Sequence, residues 1–227
     1  SGALEIRQAG YEFEKMRKRI LRHLNQRSEM LSGISHDLRT PLTRIKLQLT
    51  FIQDKEISKK LSEDVDEMEK MLNDYLQFSK SGANEKTEKF NISELIKSII
   101  IKYENQNILL DSKKDIYFAG RKNLIQRCLV NLIDNSLKYA KKINIQIISS
   151  KNNIFINIDD DGPGIPENEM INVFKPFYKV DKSRAASKSS VGLGLSISSD
   201  IIRSHGGKID LSKSSLGGLK VSIFLPY

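Results

Sequence analysis

The chain has little cysteine, few aromatics and no long apolar run. One cysteine, Cys128, excludes an internal disulfide and fits a reducing compartment; its place in an apolar helical pattern reads as a small core residue. No stretch approaches the roughly 18 apolar residues that a spanning helix needs, and no signal peptide opens the sequence, so the 227 residues read as soluble. Aromatics are 7% and tryptophan is absent. The net charge of +9 is spread along the chain without zinc-ligand or recognition-helix patterns, which argues against nucleic acid as a partner. With 39% hydrophobic residues there is enough for a real core. Two domains are expected, because helical spacing dominates about the first 80 positions and β-branched runs dominate the rest.

What is present starts with Ser35-His36-Asp37-Leu38-Arg39-Thr40-Pro41. Leu31, Ile34, Leu38, Leu42, Ile45, Leu49 and Ile52 recur in steps of three and four and make one seam of a helix. His36 falls off that seam and is expected to face solvent. An imidazole with an ordinary pKa of about 6.5 keeps a neutral nucleophilic nitrogen at neutral pH. Asp37 can bond one ring nitrogen and leave the other free, and Thr40 stacks one turn above His36, where it can position water or a phosphoryl oxygen. Pro41 removes a helix hydrogen bond and is expected to bend the helix beside the nucleophile. A lone histidine on a helix is more often a solvated or packed side chain, so the stretch needs support from elsewhere.

Upstream, Ile6, Ala9, Phe13, Met16 and Ile20 continue the seam through Leu24 with an extra four-residue step, a stutter that relaxes a coiled coil locally. Downstream, after Gln53-Asp54-Lys55-Glu56, a second seam runs through Ile57, Leu61, Val65, Met68, Leu72, Tyr75 and Leu76. Two such helices form a hairpin whose apolar stripes cannot be covered within the pair, so two copies are expected to close a dimeric four-helix bundle. The polar run from Ser81 to Glu88 reads as a hinge.

From Phe90 the pattern is mixed. Asn91 and Glu94 have capping-box spacing ahead of a helix from Leu95 to Tyr103. Strands are expected over 108–110, 116–118, 143–149, 154–159, 208–211 and 219–225, with helices over 121–140 and 193–204. That order argues for helices layered on one face of a largely antiparallel sheet.

Four clusters carry chemistry. Asn131, Asn135 and Lys138 share a helix face, where amide oxygens can ligate a hard cation and the lysine can meet phosphate. Asp160-Asp161-Gly162-Pro163-Gly164 ends a strand in a loop open to close approach; an acidic β-turn is the simpler reading of it alone. Phe174-Lys175-Pro176-Phe177-Tyr178 precedes a basic stretch, Lys175, Lys179, Lys182, Arg184 and Lys188, suited to a loop facing polyphosphate. Gly192-Leu193-Gly194-Leu195 opens a helix whose free N–H groups favour phosphate.

The stretch from Ser35 to Arg44 resembles the H-box of the sensor histidine kinases, in wording nearest the osmosensor (EnvZ-type) subgroup. The four clusters, in order, resemble the N, G1, F and G2 boxes of the histidine kinase ATP domain, a GHKL member with the Bergerat fold. The resemblance covers roughly residues 28–227 and implies an α+β chain: a dimeric helical hairpin, then an α/β two-layer sandwich that binds ATP. It implies three parts: 1–27 as the end of a HAMP or signalling helix, 28–82 for dimerisation and phosphotransfer, and 83–227 for ATP binding. It implies His36 as phosphoacceptor, Asp37 as its acid/base neighbour and Thr40 as the residue used to dephosphorylate a response regulator. Asn135 resembles the Mg2+ ligand, with Asn131 one turn earlier, and Lys138 and Tyr139 the nucleotide-contacting pair. Asp160 resembles the adenine-binding aspartate, with Gly162 and Gly164 shaping its pocket and Gly192, Leu193, Gly194 and Leu195 holding phosphates. The expected activity is autophosphorylation of His36 from Mg-ATP, transfer to an aspartate of a response regulator receiver domain, and dephosphorylation of that regulator. The expected assembly is a homodimer, the cytoplasmic portion of a bacterial inner-membrane protein anchored upstream of residue 1. One departure is Ser190-Val191, where the family has Gly-Thr. It keeps a second reading open, a non-catalytic signalling scaffold that still binds ATP; a GHKL ATPase of the chaperone, topoisomerase or mismatch-repair type would lack His36 in this setting.

Overall fold

The computed structural model describes residues 2–79, 85–103, 106–112, 114–150, 152–180 and 192–227. It divides into two compact units, Ser1–Ala83 and Asn84–Tyr227.

The first unit is a hairpin of α1 (Gly2–Leu49) and α2 (Lys55–Ser79). Helix α1 runs without interruption through residues 20–34, where the stutter lies, and through Pro41. Pro41 lacks the N–H that would pair with the Asp37 carbonyl one turn earlier. Asp54 starts α2: its Oδ1 accepts the N–H groups of Glu56 and Ile57 at 2.9 and 3.1 Å. The Leu49 carbonyl at the end of α1 accepts both the Ile52 N–H at 3.2 Å and the Ser58 hydroxyl at 2.8 Å, which ties the start of α2 to α1. Ile52, expected at the end of the first seam, lies in the turn beyond α1.

The seams split into two lines. Leu42, Leu49 and Val65 are buried, with Leu72 packed against them. Ile34, Leu38, Ile45, Ile57, Leu61 and Met68 remain 40–52% exposed, because each helix touches its one partner along only part of its apolar stripe. Lys46 bridges the helices, 2.6 Å from Asp66 and 2.7 Å from Glu69, and hydrogen bonds to these carboxylates raise its pKa.

In the second unit a five-stranded sheet has the order β2 (Asn107–Ser112), β4 (Lys142–Ser150), β5 (Asn153–Asp160), β7 (Leu219–Pro226), β6 (Lys208–Lys213). The β2–β4 pair is parallel and the other pairs are antiparallel. Register sets Ile145 opposite Ile158 and Ile158 opposite Val221, so one face is a continuous aliphatic layer. Ile143, Ile145, Ile154, Ile156, Ile158, Ile223 and Leu225 on that face are at most 1% exposed. The helices α3 (Ile92–Ile100), α4 (Lys122–Tyr139) and α5 (Gly194–Arg203) supply its counterpart in Ile96, Leu129, Ile133 and Ile201. The other face keeps Asn144, Gln146, Asn157 and Ser222 half-buried, the alternation expected of a sheet covered on one side.

Asn91 caps α3, accepting from the N–H groups of Ser93 and Glu94 at 3.0 and 3.3 Å. Regular α-helix stops at Ile100, short of Tyr103, and a single 3-10 turn finishes the segment. Strand β1 (Glu88–Asn91) was not expected; with one apolar residue it has no alternation to read, and it exists through pairing with β3 (Tyr117–Gly120) and the edge-on contact of Phe90 with Phe118. Cys128 is fully buried between α4 and α5, and desolvation pushes its thiol up to about 12.

His205, after α5, ties that helix to the start of α4. Its Nε2 accepts the Arg121 N–H at 3.1 Å, so the ring proton sits on Nδ1 and is donated to the Ile201 carbonyl at 2.8 Å. Burial lowers its pKa, and Arg121 adds to this while the Ile201 bond and Glu85 oppose it. The unfolded chain binds the proton below about pH 6.5 and the folded chain only at lower pH. Stability from this contact is therefore complete above about pH 6.5 and declines as pH falls through the folded value. Denaturant titrations of the full chain between pH 7.5 and 5 should show this decline for the second unit, and a smaller one in His205→Asn.

Candidate functional site

The first candidate site is the surface of α1 around His36. The His36 and Asp37 side chains are 80% and 85% exposed, and His36 Nδ1 lies 3.5 Å from Asp37 Oδ1. With the ring proton on Nδ1 this is a long hydrogen bond, and Nε2 then carries the free lone pair. Thr40 is exposed on the same side of the helix one turn on. Beneath them Ser35 is 1% exposed and its hydroxyl has no partner among the described residues.

The second candidate site forms where β5, β7 and α4 converge. Asp160 ends β5 and is 4% exposed. Its Oδ1 accepts the N–H groups of Gly162 and Leu219 at 3.0 and 2.9 Å, and its Oδ2 accepts the Ser136 hydroxyl at 3.2 Å. The next carboxylate, Asp161, accepts the N–H groups of Lys142 and Lys141, which hold its carboxyl below the usual range. On the other side Asp159 accepts the Ser214 hydroxyl at 3.0 Å and lies 3.9 Å from Lys220. Three consecutive aspartates thus do three different things: one closes the α4–β4 turn, one fixes the β6–β7 turn, and one is buried between them.

Asn131, Asn135 and Lys138 lie half-buried along α4, with the Lys138 Nζ 5.6 Å from the centre of the Tyr139 ring. Gly164 takes φ +70°, a left-handed conformation that a side chain would strain. Phe177 also has a positive φ, 65°, and its N–H donates to the Gly192 carbonyl at 3.0 Å. Gly192, at φ +74°, passes so close that a Cβ would sit 2.8 Å from the Tyr178 carbonyl oxygen. The Tyr178 hydroxyl in turn donates to Glu169, which raises its pKa. These contacts clamp the segments on either side of residues 181–191. Lys182, Arg184, Lys188, Ser190 and Val191 lie outside the described residues, while Lys175 donates to Asn172 Oδ1 at 2.8 Å. Leu193 precedes α5 and makes no side-chain cap, so the first N–H groups of α5 receive no bond from it.

Two family models match in chain order: the His Kinase A (phospho-acceptor) domain over residues 26–84, and the histidine kinase-, DNA gyrase B- and HSP90-like ATPase over residues 120–227. The chain belongs to the sensor histidine kinase family. It is 33% identical to the sensor histidine kinase GtrS of Pseudomonas aeruginosa over 99% of its own length and 47% of that protein. It is 29% identical to the sensor histidine kinase CpxA of Escherichia coli over its full length and 52% of that protein. The chain therefore spans about half the length of the curated relatives it matches. Full-length ShkA in complex with AMPPNP shares the fold, with a TM-score of 0.66 at 19% identity over 87% of this chain and 45% of that one. Among the described residues no helix is long and apolar enough to cross a membrane.

Ser136, Ser214, Gly218 and Leu219 were not expected at this site from the sequence. The Gly217-Gly218 pair ahead of β7 was the available signal: a Cβ on Gly218 would lie 2.5 Å from the Gly162 nitrogen and 2.6 Å from the Asp160 carbonyl oxygen. Gly218→Ala should lower the unfolding midpoint of the second unit, costing on the order of 2 kcal/mol through forced backbone displacement. Gly194→Ala, with nothing within 4 Å of its added Cβ, should leave the midpoint nearly unchanged in the same thermal scans.

Proposed function

We propose that this chain autophosphorylates His36 from Mg-ATP, passes the phosphoryl group to an aspartate of a response regulator receiver domain, and dephosphorylates that regulator. The observation that carries the reading is the 80% exposed imidazole beside Asp37, on a chain that also holds a built acceptor for a base amine at Asp160. Asp160 meets the adenine, with Gly162 and Gly164 letting the base come close; the uncapped first turn of α5, with Gly192, Leu193, Gly194 and Leu195, receives the phosphates. Asn135 holds Mg2+, with Asn131 one turn away, and Lys138 and Tyr139 contact the nucleotide. An ion held there would supply charge neutralisation for the phosphates. AMPPNP in the ShkA complex is an ATP-like ligand on the same fold, which favours this assignment.

In the transfer, the His36 Nε2 lone pair forms the N–P bond as the bond from the γ-phosphorus to the bridging oxygen breaks and ADP leaves. Asp37 holds the Nδ1 proton, keeping Nε2 nucleophilic, and takes up the positive charge that develops on the ring. Transfer needs the ATP-binding unit to bring its donor to His36, the role expected of the polar run from Ser81 to Glu88, of which residues 81–84 lie outside the described residues. Thr40 positions the water that hydrolyses the regulator's acyl phosphate. The exposed line of Ile34, Leu38, Ile45, Ile57, Leu61 and Met68 is covered by a second copy, giving a homodimer in the osmosensor-type arrangement. Residues 1–27 then continue a HAMP or signalling helix in the cytoplasmic portion of a membrane-anchored parent.

Label from γ-labelled Mg-ATP should enter the wild type in an acid-labile, alkali-stable linkage and be absent from His36→Gln. Nucleotide binding without any labelling of the wild type would instead favour the scaffold reading that Ser190-Val191 raises. Thr40→Ala should keep autophosphorylation and reduce dephosphorylation of the partner by roughly 100-fold, within the range of a positioned acid–base group. Leu38→Glu with Ile45→Glu should shift the chain from dimer to monomer in sedimentation equilibrium, since each would bury charge against charge.

A further inference from the structure

Ser136 follows Asn135 on α4 and turns toward the sheet, 2% exposed. Its single hydroxyl proton is donated to Asp160 Oδ2. Oδ1 is already taken by the Gly162 and Leu219 N–H groups. A carboxylate offers about four lone-pair positions. Three are filled among the described residues, so the fourth, on the oxygen that Ser136 holds, is the one left for a ligand.

Resting on the reading of this unit as an adenine-nucleotide site, we infer that Ser136 is a specificity-determining positioning residue for the base. Each of these three protein groups is a donor, and the remaining position accepts only. A base that presents an exocyclic amine completes the set. A base with a carbonyl at that place sets two acceptors face to face. Ser136 enforces this because its proton is committed to Oδ2 by burial and geometry. Without the hydroxyl, the space beside Oδ2 admits water, which can turn either a proton or a lone pair toward the ligand and so meet a carbonyl as readily as an amine. The selection is therefore made by the serine that hydrogen-bonds the aspartate, with Asp160 alone contacting the base.

ADP and inosine diphosphate separate these cases, since inosine carries oxygen where adenine carries the amine. Calorimetric titration of the full chain gives the ratio of the two dissociation constants. The wild type should prefer ADP, Ser136→Ala should shrink that preference by roughly fivefold, the scale of one hydrogen bond, and Ser136→Thr, which keeps the hydroxyl, should preserve it. A Ser136→Ala ratio within about twofold of wild type, whatever happens to overall affinity, overturns the inference, as does loss of the preference in Ser136→Thr. Absence of ADP binding by the wild type overturns the adenine-site reading instead.

Discussion

The second unit depends on one buried carboxylate. Asp160 sits at the end of β5, and its two oxygens join the loop after it, the first residue of β7 and the last turn of α4. A carboxylate with this little exposure is tolerated only when its oxygens are matched by donors, because an unmatched buried charge costs several kcal/mol. Backbone and side chain around it are arranged to supply them. Gly218 has no side chain because the space belongs to Asp160 and Gly162, and the N–H of Gly218 adds a bond to the Asp160 carbonyl at 3.1 Å. The flanking aspartates anchor two turns from either side, so three acidic residues in a row raise no like-charge crowding that the backbone N–H groups and Ser214 do not answer.

The first unit is organised the opposite way. Among its described residues the core is Leu42, Leu49 and Val65 with Leu72 packed against them, and a second apolar line stays open to solvent. An apolar stripe that its one partner helix covers only in part leaves apolar surface in water, which adds nothing to the stability of the hairpin. The charged groups that hold the pair in register, Lys46 with Asp66 and Glu69, lie at the surface, where ion pairs contribute little to stability and more to alignment.

Most of the architecture was legible because periodicity was clear. The long helical seams, the alternation of Ile143 to Ile147 and Ile154 to Ile158, and the glycines at the ends of strands and starts of helices all signalled their elements. Strand β1 was not legible, since Glu88-Lys89-Phe90-Asn91 becomes a strand only through its partner. Nor was the split of one helical seam into a buried and an open line, which depends on where α2 lies against α1. At the site, sequence motifs pointed to Asp160 and the asparagines, but a serine in a helix and a leucine at the start of a strand carry no signal of a hydrogen bond to a distant carboxylate. Ser136 and Leu219 are joined to Asp160 across 24 and 59 residues of sequence, and only folding brings them there.

The length of α1 has a mechanical consequence. From Gly2 to His36 the helix runs on with no loop, proline or change of helix type. The backbone over that span acts as a torsion bar: a rotation imposed near residue 2 arrives as a rotation of the imidazole about the helix axis, changing which direction it faces rather than how far away it is. Pro41, just past the histidine, interrupts the hydrogen-bond ladder along which such a rotation would travel further.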